Sequence, residues 1–182
     1  MGDPKSQPKQ YATPLRPWDS ERIEQESRLI KEFGLESKKE LWKTETTLRG
    51  FRRQSRKLMA ESGEQAEKES SQLLNKLRGL GLVEEDSSIV DVLRLDIEDV
   101  LARRLQSVVF SKGLARSIDE ARQMVVHGHM VIGDKRVTEP SYLVSVGEEE
   151  ELTHHSNSVY AEKMDPERIK SKRSSGTEPG GF

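Results

Sequence analysis

Residues 119–137 read DEARQMVVHGHMVIGDKRV, and the fold turns on how this stretch divides. Ser117-Ile-Asp-Glu120 just before it has the form of a capping box, a hydroxyl and a carboxylate spaced to satisfy the free amides of a first helical turn. A helix then buries Ile118, Ala121, Met124 and Val125 at helical spacing. Gly128 suits the left-handed position that closes a helix, because only glycine enters it without a Cβ penalty. After Gly128 the apolar period changes from helical to two. HMVIG and KRVT flank Gly133-Asp134, a two-residue connection that suits a β-hairpin. His127 ends the helix near the negative end of its dipole, and His129 opens the strand.

Two imidazoles from different element types, with a chain reversal between them, make a poor chelate and at most half a tetrahedral metal site. His154 and His155 lie farther on, in a polar stretch. No Ser-His-Asp order or carboxylate pair stands out, so no catalytic residue, metal or cofactor is assigned. The histidines are expected to be structural or to contact RNA.

Upstream, Asp96 can cap a helix carrying Ile97, Val100, Leu101, Leu105, Val108 and Val109, ending near Gly113. Downstream, Pro140 breaks the second strand and Tyr142–Val146 predicts a third. Glu148 to Glu151 form an acidic run, taken as solvated surface.

The N-terminal half is helical in pattern. Pro4, Pro8, Pro14 and Pro17 with Lys5, Lys9 and Arg16 predict an extended basic arm. A helix follows from Ser20 to Phe33, with Ile23, Ile30 and Phe33 on one face and Gly34 as its stop. Ser37-Lys-Lys-Glu40 is another capping box, with Glu40 expected to reach back to the N-cap. It opens a long helix to Glu61 through Leu41, Leu48, Phe51, Leu58 and Met59. Another helix covers Glu64 to Arg78, and Ser88 to Asp91 reads as a short capped turn. The whole is α+β and mainly α: an arm over 1–18, a helical region over 19–95, a module of two short helices on a small antiparallel sheet over 96–152, and a polar, flexible tail over 153–182.

Composition limits the core. Of 182 residues, 32% are hydrophobic and 34% charged, and there is no cysteine. Disulfides, thiolate metal sites and cysteine nucleophiles are excluded. No apolar run approaches a membrane span. The net charge of −2 conceals a segregation: residues 101–136 hold seven Lys/Arg against three Asp/Glu, leaving 23 basic and 29 acidic groups elsewhere.

Two basic surfaces result. Arg49, Arg52, Arg53, Arg56 and Lys57 fall within nine residues free of acid, opposite the apolar face of the long helix. A stripe of one sign repels itself and calls for an anionic partner, and arginine's planar fork suits phosphate. The other surface gathers Arg103, Arg104, Lys112, Arg116, Arg122, Gln123, Lys135 and Arg136, with His127 and His129, beside the amides at the start of the second short helix. Shape-specific grip on folded RNA, through phosphates and sugar hydroxyls, needs such a patch.

The run LARRLQSVVFSKGLARSIDEARQMVVHGHMVIGDKRVTEPSYLVSVGEEE (101–150) resembles the RNA-binding module named for the fourth protein of the small ribosomal subunit. YATPLRPWDSERIEQE, EFGLESKKELWKTE and LRGFRRQSRKL look like the archaeal and eukaryotic form of that ribosomal family, and the resemblance covers about residues 3–152. It implies a non-enzymatic, cytoplasmic constituent of the small subunit. Such a protein binds a multi-helix junction in the 5′ part of the rRNA, nucleates assembly and affects translational accuracy. It implies other small-subunit proteins as neighbours, the fifth among them, and messenger RNA where it enters the subunit. An RNA-modifying enzyme of the pseudouridine synthase type can carry the same module, but would need a catalytic domain that the helical N-terminal half does not suggest. A helical adaptor that binds only protein is a further alternative. Family members are usually strongly basic, whereas the pI here is near 6.2. That departure predicts a salt-rich cytosol, where long-range attraction is screened and close arginine contacts must do more.

Overall fold

The computed structural model describes residues 8–156 together with Ser158 and Tyr160. The expected arm is described from Pro8 onward, and most of the expected tail lies outside the described residues. Helix α1 (Ser20–Glu32) ends at Gly34, whose φ is +56°. Helix α2 (Lys38–Ala60) is the long one, and α3 (Glu64–Gly79) returns beside it. Leu41, Leu48, Phe51, Ser55 and Leu58 form the buried face of α2, spaced by seven, three, four and three residues as one helix face requires. Ser55 is the polar exception, and its hydroxyl donates to the carbonyl of Ile89 at 2.7 Å. The predicted turn at Ser88 is real. Asp91 accepts from the Ser88 amide at 2.9 Å and hydroxyl at 2.8 Å, and these bonds hold its carboxyl below the usual value. A single 3-10 turn follows over Asp91–Leu93.

The helix expected to run from Asp96 to Gly113 is two helices, α4 (Ile97–Ala102) and α5 (Leu105–Ser111). The break at Arg103-Arg104 has a physical cause. Arg104 forms a β-bridge with Leu143, the Leu105 amide donates to the Tyr142 carbonyl at 2.7 Å, and the Val144 amide donates to Arg103 at 2.9 Å. Pairing with this passing segment replaces one turn of helix, a tertiary choice that apolar spacing alone does not report.

Helix α6 (Ile118–Val126) starts at Ser117, whose hydroxyl accepts from the Glu120 amide at 3.1 Å. It closes through His127 to Gly128 at φ +68°. Strands β1 (Met130–Ile132) and β2 (Lys135–Arg136) make the predicted hairpin, with Ile132 opposite Lys135 and Gly133 at φ +55°.

The third strand is not the expected one. Tyr142–Val146 joins no strand of the sheet and pairs instead with the Arg103–Leu105 segment, while β3 (Leu152–His154) fills the place beside β1, with Met130 opposite His154. The sheet order is β2-β1-β3, antiparallel throughout. The acidic run, expected as solvated surface, is built into a helix. Helix α7 (Val146–Glu150) is capped by Ser145 and Glu148, each bonding the other's amide. The pattern Ser-Val-Gly-Glu carried that signal, and the density of glutamates after it hid it.

Apolar packing forms three clusters. One joins α2, α3, Val92, Leu95 and Val100; a smaller one joins Leu35, Leu41 and Leu101. The third lies within the module, from Leu105 through α6 and the sheet to Leu152. The core therefore changes hands at the Arg103-Arg104 break.

Candidate nucleic-acid interface

Opposite the buried face of α2, Arg49, Arg53, Arg56 and Lys57 are exposed. Arg53 and Arg56 make no hydrogen bond or ion pair among the described residues. Arg49 pairs with Glu45, and Lys57 with Glu61 at 3.5 Å, both one helical turn away. Exposed pairs of this kind contribute about 0.3–0.5 kcal/mol, so a phosphate displaces them easily. Arg52 differs. It is half-buried, donates to the Leu95 carbonyl and lies 3.6 Å from Asp96. It ties α2 to the start of α4 and stands at the edge of the stripe.

The module's cations divide by depth. Arg116, Gln123 and Lys135 are exposed. Arg116 and Gln123 side chains have no hydrogen-bond or ionic partner among the described residues, while Lys135 faces the charge of Glu148. Arg103 donates to Glu149 at 2.7 Å and to the Val144 carbonyl at 3.0 Å, and Lys112 donates to the Glu149 carbonyl. Arg136 lies flat over Gly128, where a Cβ would sit 2.0 Å from its Nε, and it donates to the His127 carbonyl at 2.7 Å. It thereby satisfies one of the carbonyls that a helix end leaves free.

Arg104 and Arg122 turn inward. Arg104 is 3% exposed and donates to Glu40. Arg122 donates to both Glu40 oxygens, at 2.8 and 3.3 Å, and to Glu36 at 2.8 Å. Burial alone would raise the Glu40 carboxyl, but hydrogen bonds from Arg122 and Arg104, with their charges, bring it below its ordinary value. The expected return of Glu40 to its N-cap does not occur: Ser37 makes no side-chain cap bond, and the carboxylate serves the arginines instead. Removing one partner of a buried pair strands the other charge, at a cost of about 3–5 kcal/mol. A cleft of about 440 Å³ opens beside this cluster, lined by Lys43, Thr44, Thr47, Arg104, Arg122 and Ser141. Lys43, exposed on its wall, was not among the residues singled out from the sequence.

Residues 103–149 match the S4 domain family. A Small ribosomal subunit protein uS4 from Methanococcus maripaludis is 48% identical over 169 residues, covering 92% of this chain and 95% of the relative. The protein of the same name from Methanococcus aeolicus is 48% identical over 172 residues, 94% of this chain and 97% of its own. The chain belongs to the uS4 family. The domain match begins at Arg103, where the α-helix breaks and the core changes hands.

In this uS4 family member the histidines are not assembled as a chelate. The rings of His127 and His129 lie 6.3 Å apart, tilted by 42°. His129 Nδ1 is 3.1 Å from the Ser158 hydroxyl, and its ring meets Tyr160 edge-on at 5.2 Å. Among the described residues no group of three or more His, Asp or Glu could hold a metal ion. His154 is the unexpected one. Neither ring nitrogen has a hydrogen-bond partner among the described residues, and burial, then the neighbouring His129, lowers its pKa. Nor are the amides at the start of α6 all open to an anion, because Glu120 accepts from the Arg116 amide at 2.7 Å and Ser117 from Glu120.

Proposed function

We propose that this chain is a structural constituent of the small ribosomal subunit, resident in the cytoplasm, which binds small-subunit rRNA directly through two basic surfaces. The observation that carries the site is the α2 stripe: Arg53 and Arg56 stand exposed, without a hydrogen-bond or ionic partner among the described residues, on a helix whose opposite face is core. The second surface comprises Lys112, Arg116, Gln123, His127, Lys135 and Arg136 around the module, with His129 behind them. Arg103, Arg104, Arg122 and Arg52 support these surfaces from beneath. Membership in a family whose relatives are named as small-subunit proteins favours this reading over a protein-only adaptor or an RNA-modifying enzyme.

Through the same surfaces the chain nucleates assembly of the subunit body and contributes to accurate decoding. It sits beside other small-subunit proteins, the fifth among them, and close to incoming messenger RNA. A footprint of the purified chain on naked small-subunit rRNA tests the reading. Protection at a multi-helix junction in the 5′ part is the expected result, and protection no greater than on unrelated RNA at matched salt overturns it. Comigration with the subunit through a high-salt gradient separates an rRNA binder from an adaptor, which washes off.

A further inference from the structure

We propose that Glu40 is a positioning residue, which by holding Arg104 and Arg122 fixes the module against α2 and sets the angle between the two basic surfaces. The inference rests on the rRNA-binding reading and assigns a role to an acid that touches no RNA. The layer where the two bodies meet holds a buried polar network beside the apolar contact of Leu143 with the first cluster. Gln106, 1% exposed, donates to the Gly34 carbonyl at 2.9 Å and to the Ile118 carbonyl at 3.1 Å, and its own oxygen accepts from Arg122 at 3.2 Å. Glu40 completes this layer, with both oxygens engaged by arginines from the module.

Apolar surfaces tolerate sliding. Charge-assisted hydrogen bonds from a guanidinium fork demand one geometry. Glu40 and the stripe also share one rigid helix, with thirteen residues or about 20 Å between Glu40 and Arg53. A tilt of about 10° at the clamp moves the stripe by about 3 Å at that lever arm, enough to lose a hydrogen bond.

The sign of the effect separates positioning from simple electrostatics. Glu40→Gln and Glu36→Gln each remove one negative charge, so charge alone makes both bind RNA more tightly. Positioning makes Glu40→Gln bind small-subunit rRNA about tenfold or more weakly, because the two surfaces no longer engage together. Glu36, 77% exposed in its side chain and holding only one edge of Arg122, leaves affinity unchanged or slightly improved.

The chain contains no cysteine, so spin labels on cysteines introduced at Gln72 and Asp134 report the distance between the two bodies. A single narrow distance is expected with Glu40 present, and a broadened or shifted one in Glu40→Gln at unchanged helix content. Binding by Glu40→Gln as tight as the unaltered chain, or weaker binding with the narrow distance retained, overturns the proposal. Should Glu40→Gln not fold, Glu40→Asp keeps the charge and shortens its reach. It must also broaden the distance and weaken binding, and behaviour like the unaltered chain overturns the proposal. General failure of rRNA binding by the unaltered chain instead overturns the functional reading while leaving the distance measurement intact.

Discussion

Replacing Arg53 and Arg56 with glutamine probes the α2 stripe without touching the fold. Both side chains are exposed and have no hydrogen-bond or ionic partner among the described residues, so stability is expected to stay within about 0.5 kcal/mol. Each phosphate neutralised by a cation contributes about 0.9 to the slope of log K against log salt on duplex nucleic acid. Two lost contacts lower that slope by about 1.8, which at 0.1 M salt corresponds to about 60-fold weaker binding, fading to nothing towards 1 M. The assay is a filter-binding titration of small-subunit rRNA across a salt series, with thermal melting as a control. Weakened binding with an unchanged salt slope means that the arginines act by another route. Unchanged affinity and slope remove the stripe from the interface. Arg52 is a poor choice for this test, because its tie to Leu95 and Asp96 confounds binding with folding.

Other outcomes follow from the same structure. Gly34→Ala puts a Cβ 2.8 Å from Gln106 and 2.9 Å from Ile118 on backbone at φ +56°; the left-handed strain alone costs about 1–2 kcal/mol, seen as a lower Tm, and an unchanged Tm refutes the close approach. His154 favours its neutral form in the fold, so its contribution is present above the ordinary histidine value near 6.5 and is lost as pH falls through its lowered folded pKa. Amide protection factors in β3, taken relative to the intrinsic exchange rate at each pH, should therefore fall as pH drops below about 6.5, and His154→Phe should abolish that fall. The exposed acids Glu84, Glu85 and Asp86 anticipate a Tm that rises as salt approaches about 1 M, where the Debye length is near 3 Å. A flat or falling Tm removes the salt-adaptation reading.

Local chemistry was legible in the sequence wherever one element decided the outcome. The stop at Gly128, the hairpin at Gly133-Asp134 and the α2 periodicity each depend on a few neighbours, and each is as expected. Features set by distant partners were not. The helix breaks at Arg104 because Leu143 pairs with it, and Glu40 leaves its cap because Arg104 and Arg122, sixty or more residues away, bind it more strongly. The basic residues show the same division. Arg53 and Arg56 lie where helical geometry places them. Arg104 and Arg122 look identical in sequence and differ only in having an acid waiting beneath them. Depth is a property of the assembled fold, and a charge count along the chain does not contain it.

The core changes hands at Arg103-Arg104, which also gives the molecule a timetable. Everything that fills the first two apolar clusters, apart from the flanking Leu143, has been synthesised by Leu101. The third cannot close until Leu152 has been added. Domains generally mature as units in order of synthesis. The N-terminal half can therefore stand with its carboxylates in place while the last third is still being translated, a waiting socket for Arg104 and Arg122.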